Sequence, residues 1–296
     1  MEEKVCENDE LLAGYYLVAF FDLLGQQKEL REIKSLPNPE DDIAVKIFTD
    51  RVKQTYGAVK NMRSYFRDFF DSFIESNAEK YQLDPAQRAI FEQCKSNKIK
   101  IQQFSDCIAI FLPLRDDINK LPTRGILGVL AAAATTSLRC LAHGHPIRGG
   151  IDIGVALEID QDEIYGPALS RAYNLENSVA QYPRVVIGEE LFKYLRLHAN
   201  QVETDFFSKI SKETAKSCLS LLALDDDGYP FIDFLGEDFK KSMEDFFRSG
   251  VIDRAYDFVL SESKKHQEER NPKLAFKYTL LRNYFEDRME NWTKEE

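Results

Sequence analysis

The segment Ile101-Gln102-Gln103-Phe104-Ser105-Asp106-Cys107-Ile108-Ala109-Ile110-Phe111 constrains the fold more than any other stretch of the chain. Two apolar runs flank a polar pair, a pattern that predicts two strands over residues 98–113 joined near Ser105-Asp106 as a hairpin. A hairpin in the middle of a chain whose other strands alternate with helices argues against a purely parallel, doubly wound sheet.

The remaining segments fit around that hairpin. The run Leu17-Val18-Ala19-Phe20-Phe21 predicts a strand over 15–25 that stops at Gly25. Residues 41–95 read as helices, with Tyr65, Phe66, Phe69, Phe70, Phe73 and Ile74 on one wide apolar face that suits a core or a dimer interface. A long helix from Thr123 to Ala142 ends at Gly144, with Pro146 beyond it. Residues 147–159 form a strand, and Gly166-Pro167 opens a helix running through Ala168 to Ala180. Arg184 to Ile187 is a further strand and Glu189 to Leu197 a further helix. Leu219–Leu224 and Tyr229–Phe234 flank Asp225-Asp226-Asp227-Gly228, a turn signal for a second hairpin rather than a metal cluster. The order β-α-α-β-β-α-β-α-β-α-β-β predicts an α+β sheet with helices on one face. Residues 1–235 read as the main domain. Residues 236–296 read as a charged C-terminal helical extension, with Leu274, Tyr278, Leu281 and Phe285 on one face.

Composition narrows the function classes. The chain is 44% hydrophobic and 30% charged, which suits a globular protein with a real core. No uninterrupted apolar run reaches the ~20 residues needed to span a bilayer, the longest being Gly125 to Ala134. The N-terminus lacks a signal-peptide pattern, so a cytoplasmic location without membrane attachment is expected. A net charge of −11 disfavours nucleic acid as a partner. Cys6, Cys94, Cys107, Cys140 and Cys218 are scattered, which argues against a disulfide framework or a structural zinc site. His143 and His145 flank Gly144, where a helix is ending, and a C-capping or solvated role suits them.

Two aspartates carry the candidate chemistry. Asp22 ends one apolar run and Asp106 opens another. A carboxylate beside a buried strand is costly unless something compensates its charge, and two brought together need a cation or a shared proton. Each also has an ordinary reading, Asp22 as a helix N-cap and Asp106 as a turn residue. A divalent metal for phosphate chemistry accounts for both at once.

These fragments resemble the catalytic domain of class III nucleotidyl cyclases, over roughly residues 15–235. That family has a strand ending F-x-D-x-x-G, here Phe20-Phe21-Asp22-Leu23-Leu24-Gly25. It has a second hairpin aspartate, here Ser105-Asp106. It has an R-x-G-I-x-x-G strand, here Arg148-Gly149-Gly150-Ile151-Asp152-Ile153-Gly154. It has an aromatic-Gly turn into a helix, here Tyr165-Gly166-Pro167-Ala168. The resemblance implies a ferredoxin-like, palm-type sheet and a homodimer with its active sites at the interface. It implies two divalent ions, Mn²⁺ or Mg²⁺, on Asp22, the Leu23 carbonyl and Asp106. Backbone amides of Leu24, Gly25 and Gln26 would cradle phosphates.

Departures point to a particular branch. The purine-reading lysine position falls on Gln102 and the second base-reading position on Glu163. The transition-state asparagine position falls on Ser170 and the arginine position on Asn174; Arg171, on the same helix face, would replace the latter. The segment Gly166 to Glu176, followed by Tyr182 to Ile187, is similar to the pyrimidine cyclases of the Pycsar anti-phage system. That implies a UTP or CTP substrate and a cyclic nucleotide sensed by a separate downstream effector. A Gln102 amide both donates and accepts, as a uracil or cytosine edge requires; the ordinary reading of Gln102 is a strand residue that points outward. A purine cyclase and an inactive cyclase-like binding domain are the alternatives. Arg148 suits a surface pair or a phosphate or interface contact, Arg184 a salt bridge or triphosphate contact, Asp152 a solvent-facing position and Tyr165 a dimer contact.

Overall fold

The computed structural model describes residues 12–25, 34–75, 83–88, 98–114, 121–159, 163–242 and 250–289. Strand β1 (Leu12–Leu23) is followed by helix α1 (Asp42–Glu75), and strands β2 (Lys100–Phe104) and β3 (Cys107–Pro113) form the expected hairpin. Helix α2 (Pro122–Ala142) leads into β4 (Ile147–Ile159), the short β5 (Glu163–Tyr165) and helix α3 (Pro167–Asn174). A π-helical turn (Leu175–Val179) connects α3 to β6 (Val185–Ile187). Then come α4 (Glu189–Ala199), α5 (Phe206–Ser220), the hairpin β7 (Leu222–Leu224) and β8 (Pro230–Ile232), and the helices α6 (Glu237–Ser242), α7 (Val251–Glu268) and α8 (Pro272–Met289).

The sheet runs β2-β3-β1-β4-β6-β8-β7, with β5 on β4. Its first four strands, with α1 and α2 between them, give β-α-β-β-α-β connectivity in which β1 lies between β3 and β4 and antiparallel to both. That is the split-βαβ, ferredoxin-like arrangement. Strand β6 extends it parallel to β4.

Alternation along β1 assigns the two faces. Leu17, Ala19, Phe21 and Leu23 pack with Met62, Phe66 and Phe70 of α1 and Ile126, Val129 and Leu130 of α2. Tyr16, Val18 and Phe20 pack on the opposite face with Ala168 and Ala172 of α3. The expectation of helices on one face needs correcting for α3. An apolar strand with both faces covered reads as a continuous hydrophobic run, and Leu17 to Phe21 is such a run. Close approach of α3 depends on glycine: a Cβ on Gly150 would stand 2.5 Å from Leu175 Cβ and 2.8 Å from the Glu176 nitrogen.

Helix α2 is nearly all buried. By length and composition it could cross a membrane, yet 83% of its apolar window is buried inside the protein. Its uninterrupted apolar run is Gly125 to Ala134, bounded by Arg124 and Thr135. Val259 of α7 and Tyr278, Leu281 and Phe285 of α8 belong to the same buried cluster as the sheet.

Candidate active site

Asp22 is the last face-determining residue of β1 on the α3 side, and its cross-strand neighbours are Cys107 on β3 and Arg148 on β4. Paired residues of antiparallel strands share a face, so all three side chains converge. The Cys107 thiol donates to Asp22 Oδ1 at 3.2 Å, and Arg148 Nη2 donates to Asp22 Oδ2 at 3.2 Å. Asp106 arrives from the two-residue hairpin turn, in which Ser105 adopts a left-handed φ of 52°. That conformation favours glycine and costs a β-carbon-bearing residue about 1 kcal/mol. The turn is tied to β1 because the Leu23 amide donates to the Asp106 carbonyl at 3.2 Å.

Ligand atoms of Asp22, Asp106 and Cys107 lie within 4.8 Å of one another. Burial raises the Asp22 pKa above its ordinary value, the hydrogen bonds from Cys107 and Arg148 oppose the rise, and the Asp106 charge adds to it. Asp106 Oδ2 is buried without a hydrogen-bond partner among the described residues. Burial and the two carboxylates also push the Cys107 thiol far up, and in this arrangement it donates to Asp22. Two mutually repelling carboxylates with an orphaned oxygen make an oxygen-donor set for a hard divalent cation such as Mg²⁺ or Mn²⁺.

Glu176 completes the cluster and was not foreseen. It is 3% exposed, and its Oε1 pairs with Arg148 Nη2 at 2.5 Å, so Arg148 bridges Asp22 and Glu176. Its pKa is pushed up to about 7, chiefly by burial, against the pull of Arg148 and with the help of Asp22 and Asp106. One sequence signal could have found it. Ala168, Ala172, Glu176 and Ala180 recur every four residues and all are buried, so one carboxylate stands on an otherwise alanine stripe. The turn that presents it is π-helical, with the Ala180 amide donating to the Leu175 carbonyl at 2.8 Å, a local geometry common at functional sites.

The other expected residues are placed as follows. Gln102 lies on the Asp22 face of β2, opposite Ala109, with its Oε1 buried and unpartnered among the described residues. The Leu24 amide is already engaged by the Pro146 carbonyl at 2.9 Å; Gly25 follows it with φ +93°, and Gln26 lies outside the described residues. The Leu23 side chain is buried in the core. Glu163 begins β5 and is exposed, as are Ser170 and Asn174 on α3. Arg171 is turned onto the sheet, its Nε 3.1 Å from Asp152 Oδ2 and its Nη2 bonded to the Ile153 carbonyl.

Three readings of ordinary residues change or resolve. Asp152 does not face solvent: it is 2% exposed and accepts from the Leu191 amide at 2.9 Å, capping α4 from the neighbouring strand. Arg184 is buried and pairs with Asp225 and Asp227 of the β7–β8 turn, so its partners are carboxylates of the same chain. His143 is the exposed C-cap of α2.

No family model matches the chain, and no curated protein matches it. Among solved structures it is similar to the crystal structure of the catalytic core of a rhodopsin-guanylyl cyclase with converted specificity in complex with ATPalphaS. The identity is 10%, the TM-score 0.31, and the match covers 64% of this chain and 84% of that one.

Proposed function

We propose that the chain is a metal-dependent nucleotide cyclase that converts UTP or CTP to the 3′,5′-cyclic nucleotide and pyrophosphate. The observation that carries this reading is the convergence of Asp22 and Asp106 within 4.8 Å at one end of a ferredoxin-like sheet, with Asp106 Oδ2 buried and unpartnered among the described residues. In this reading residues 1–235 form the catalytic domain, residues 236–296 extend it, and two copies pair to complete the site.

Asp22 and Asp106 fit the two divalent ions, with the Leu23 carbonyl as a further oxygen. Bound there, the ions would polarise the ribose 3′-hydroxyl and neutralise the departing pyrophosphate. Arg148 holds the Asp22 carboxylate in place, and Glu176 holds Arg148. The neutral Cys107 thiol fixes the second Asp22 oxygen. Among the described residues nothing lies within 4 Å of where a Gly25 Cβ would stand, which supports approach of a phosphate oxygen to its backbone. The unpartnered Gln102 Oε1 supports a base whose edge donates a hydrogen bond, as the uracil imide and the cytosine amine do. The product would act as a second messenger in anti-phage defence, sensed by a separate effector, and the location would be cytoplasmic.

Incubation of the purified chain with each of the four nucleoside triphosphates and Mn²⁺ tests the proposal. Cyclic UMP or cyclic CMP is expected, and Asp22→Ala abolishes it. Cyclic AMP or cyclic GMP as main product overturns the pyrimidine assignment, and no cyclic product from any triphosphate overturns catalysis. One observation favours a second reading, an inactive nucleotide-binding domain: Ser170 and Asn174 are exposed, and the only arginine on α3, Arg171, is engaged by Asp152.

A further inference from the structure

Two arginines hold the π-turn that presents Glu176. Arg148 of β4 pairs with the Glu176 carboxylate, Nη2 to Oε1 at 2.5 Å, and its Nη1 donates to the Ala180 carbonyl at 3.4 Å. Arg184, which immediately precedes β6, donates from Nη2 to the Val179 carbonyl at 2.9 Å. Its own carbonyl accepts from the amide of Gly149, the residue after Arg148, at 3.0 Å. The turn is thus tied to adjoining strands of the sheet by one guanidinium from each side.

The β7–β8 turn aims the Arg184 fork. Nη1 donates to Asp227 Oδ1 at 3.2 Å and bonds Asp225 Oδ2, while Nη2 bonds Asp227 Oδ2. The Tyr182 hydroxyl donates to the same Asp225 oxygen at 2.5 Å, and the Tyr182 ring lies against the guanidinium, 4.9 Å from centroid to Cζ. Contacts with both carboxylates fix the plane of a guanidinium as well as its place, and that plane keeps Nη2 on Val179. A buried arginine that only fastened a hairpin to the sheet would have no need of a π-turn carbonyl. A continuous series of contacts therefore runs from Asp225 and Asp227 through Arg184 to Val179. Three residues before Val179, in the same turn, Glu176 pairs with Arg148, and Arg148 with Asp22 at 3.2 Å. Arg148 competes with a divalent cation for Asp22, and Glu176 draws off part of its charge. If the turn shifts and Glu176 withdraws, Arg148 bears on Asp22 alone and one negative charge leaves the cation's surroundings. Both changes weaken cation binding.

We propose that Arg184, aimed by Asp225 and Asp227, is a positioning residue for the divalent-cation site at Asp22 and Asp106, acting through the π-turn on Glu176 and Arg148. This rests on the metal-dependent reading of that site, and it gives the acidic β7–β8 turn a part in cation binding without supplying a ligand atom.

The test is titration of the full chain with Mn²⁺, read by the paramagnetic resonance signal of the free ion. Wild type is expected to bind. Arg184→Lys keeps the charge and loses the fork; it is expected to weaken Mn²⁺ binding about fivefold, and Asp227→Ala about threefold, as for residues coupled through a contact network. Asp227→Glu keeps a carboxylate for Arg184 and should restore most of the affinity. Asp226→Ala removes the same charge from an exposed position of the same turn and is expected to bind as wild type does. Melting in chelator separates a shifted site from lost folding, and Asp227, half-exposed, keeps the test open if Arg184→Lys does not fold. A double-mutant cycle adds a readout that mere fastening of the hairpin would not move. Glu176→Gln alone should weaken Mn²⁺ binding, and Asp227→Ala should add little to it, because both act through one contact. Fully multiplicative effects of the two overturn the inference. So does Mn²⁺ affinity in Arg184→Lys and Asp227→Ala equal to that of Asp226→Ala, which leaves the cyclase reading standing. A wild-type chain that does not bind Mn²⁺ overturns both. A chain whose Mn²⁺ affinity follows Arg184 and Asp227 but which cyclises no triphosphate keeps the inference and loses the catalytic reading instead.

Discussion

Replacing Asp106 by Asn separates a metal-binding carboxylate from a turn residue, because the two roles predict stability changes of opposite sign. Asp22 and Asp106 present ligand atoms within 4.8 Å of each other, and the Asp106 charge contributes to raising the Asp22 pKa. Two unit charges at that separation repel by about 3 kcal/mol at an effective dielectric constant near 20. Arg148 already offsets part of this at Asp22, and the site is open to water at its rim, so roughly 1 kcal/mol of net relief is expected. Asp106→Asn should therefore melt above wild type in metal-free buffer. In Mn²⁺ the order should invert. Wild type gains about 2.7 kcal/mol at a hundredfold excess of ion over its Kd, and the variant, with one carboxylate gone, gains little. Thermal unfolding in chelator and in a Mn²⁺ series reads both effects in one experiment. A variant less stable than wild type without metal, and equally stabilised by Mn²⁺, would refute the reasoning and return Asp106 to an ordinary turn.

Other perturbations probe the scaffold. Gly150→Ala is expected to cost about 3 kcal/mol, the upper end for overpacking, because the added methyl meets backbone of α3 and the π-turn rather than a movable side chain. Gly57→Ala, mid-helix in α1 with nothing within 4 Å among the described residues, should stabilise by up to about 1 kcal/mol; equal effects of the two in urea unfolding would sink the close-packing account. Glu176 predicts a pH slope. Its folded pKa of about 7 lies above the ordinary 4.5, so the folded protein holds the extra proton. That stabilisation is complete below about pH 4.5 and is lost as pH rises through 7. Glu176→Gln should flatten this slope, worth on the order of 3 kcal/mol, in chelator; an unchanged slope would remove Glu176 as its source. Asp225→Ala leaves the buried Arg184 with fewer partners and should cost about 3 kcal/mol in thermal or urea unfolding, whereas a loss under 0.5 kcal/mol would make the pair ornamental.

Much of the fold was legible because apolar runs and turn residues agree locally. Strand β4 spans Ile147–Ile159 as its pattern predicts, and the Ser105-Asp106 turn joins β2 to β3. The aromatic stripe of α1 divides as a helix facing a core should, with Phe66, Phe70 and Ile74 buried and Tyr65, Phe69 and Phe73 packed around them. Legibility failed where a partner distant in sequence decides the role. Asp152 looks like a polar residue in a glycine-rich strand until α4, nearly 40 residues on, offers the Leu191 amide. The helix expected to run to Ala180 stops at Asn174 because the chain widens into a π-turn, and a four-residue spacing of small side chains does not distinguish that turn from α-helix. Helix α5 carries its signal locally, a capping box between Asp205 and Ser208, yet its mixed polar surface hid its periodicity.

The glycines and the acidic cluster are one device rather than two. Asp22 sits on the sheet face that, among the described residues, α3 and the π-turn cover, and α3 reaches that face because Gly150 and Gly154 leave it bare. Had those positions carried side chains, the stripe Ala168-Ala172-Glu176 would stand farther from β4 and Glu176 would not reach Arg148. Arg148 would then bear on Asp22 alone, at the same edge of the sheet where Asp106 lacks a partner for one buried oxygen. Close packing at glycine therefore sets the charge balance at the strand ends. A Gly150 substitution should accordingly weaken cation binding as well as stability, although Gly150 contributes no ligand atom.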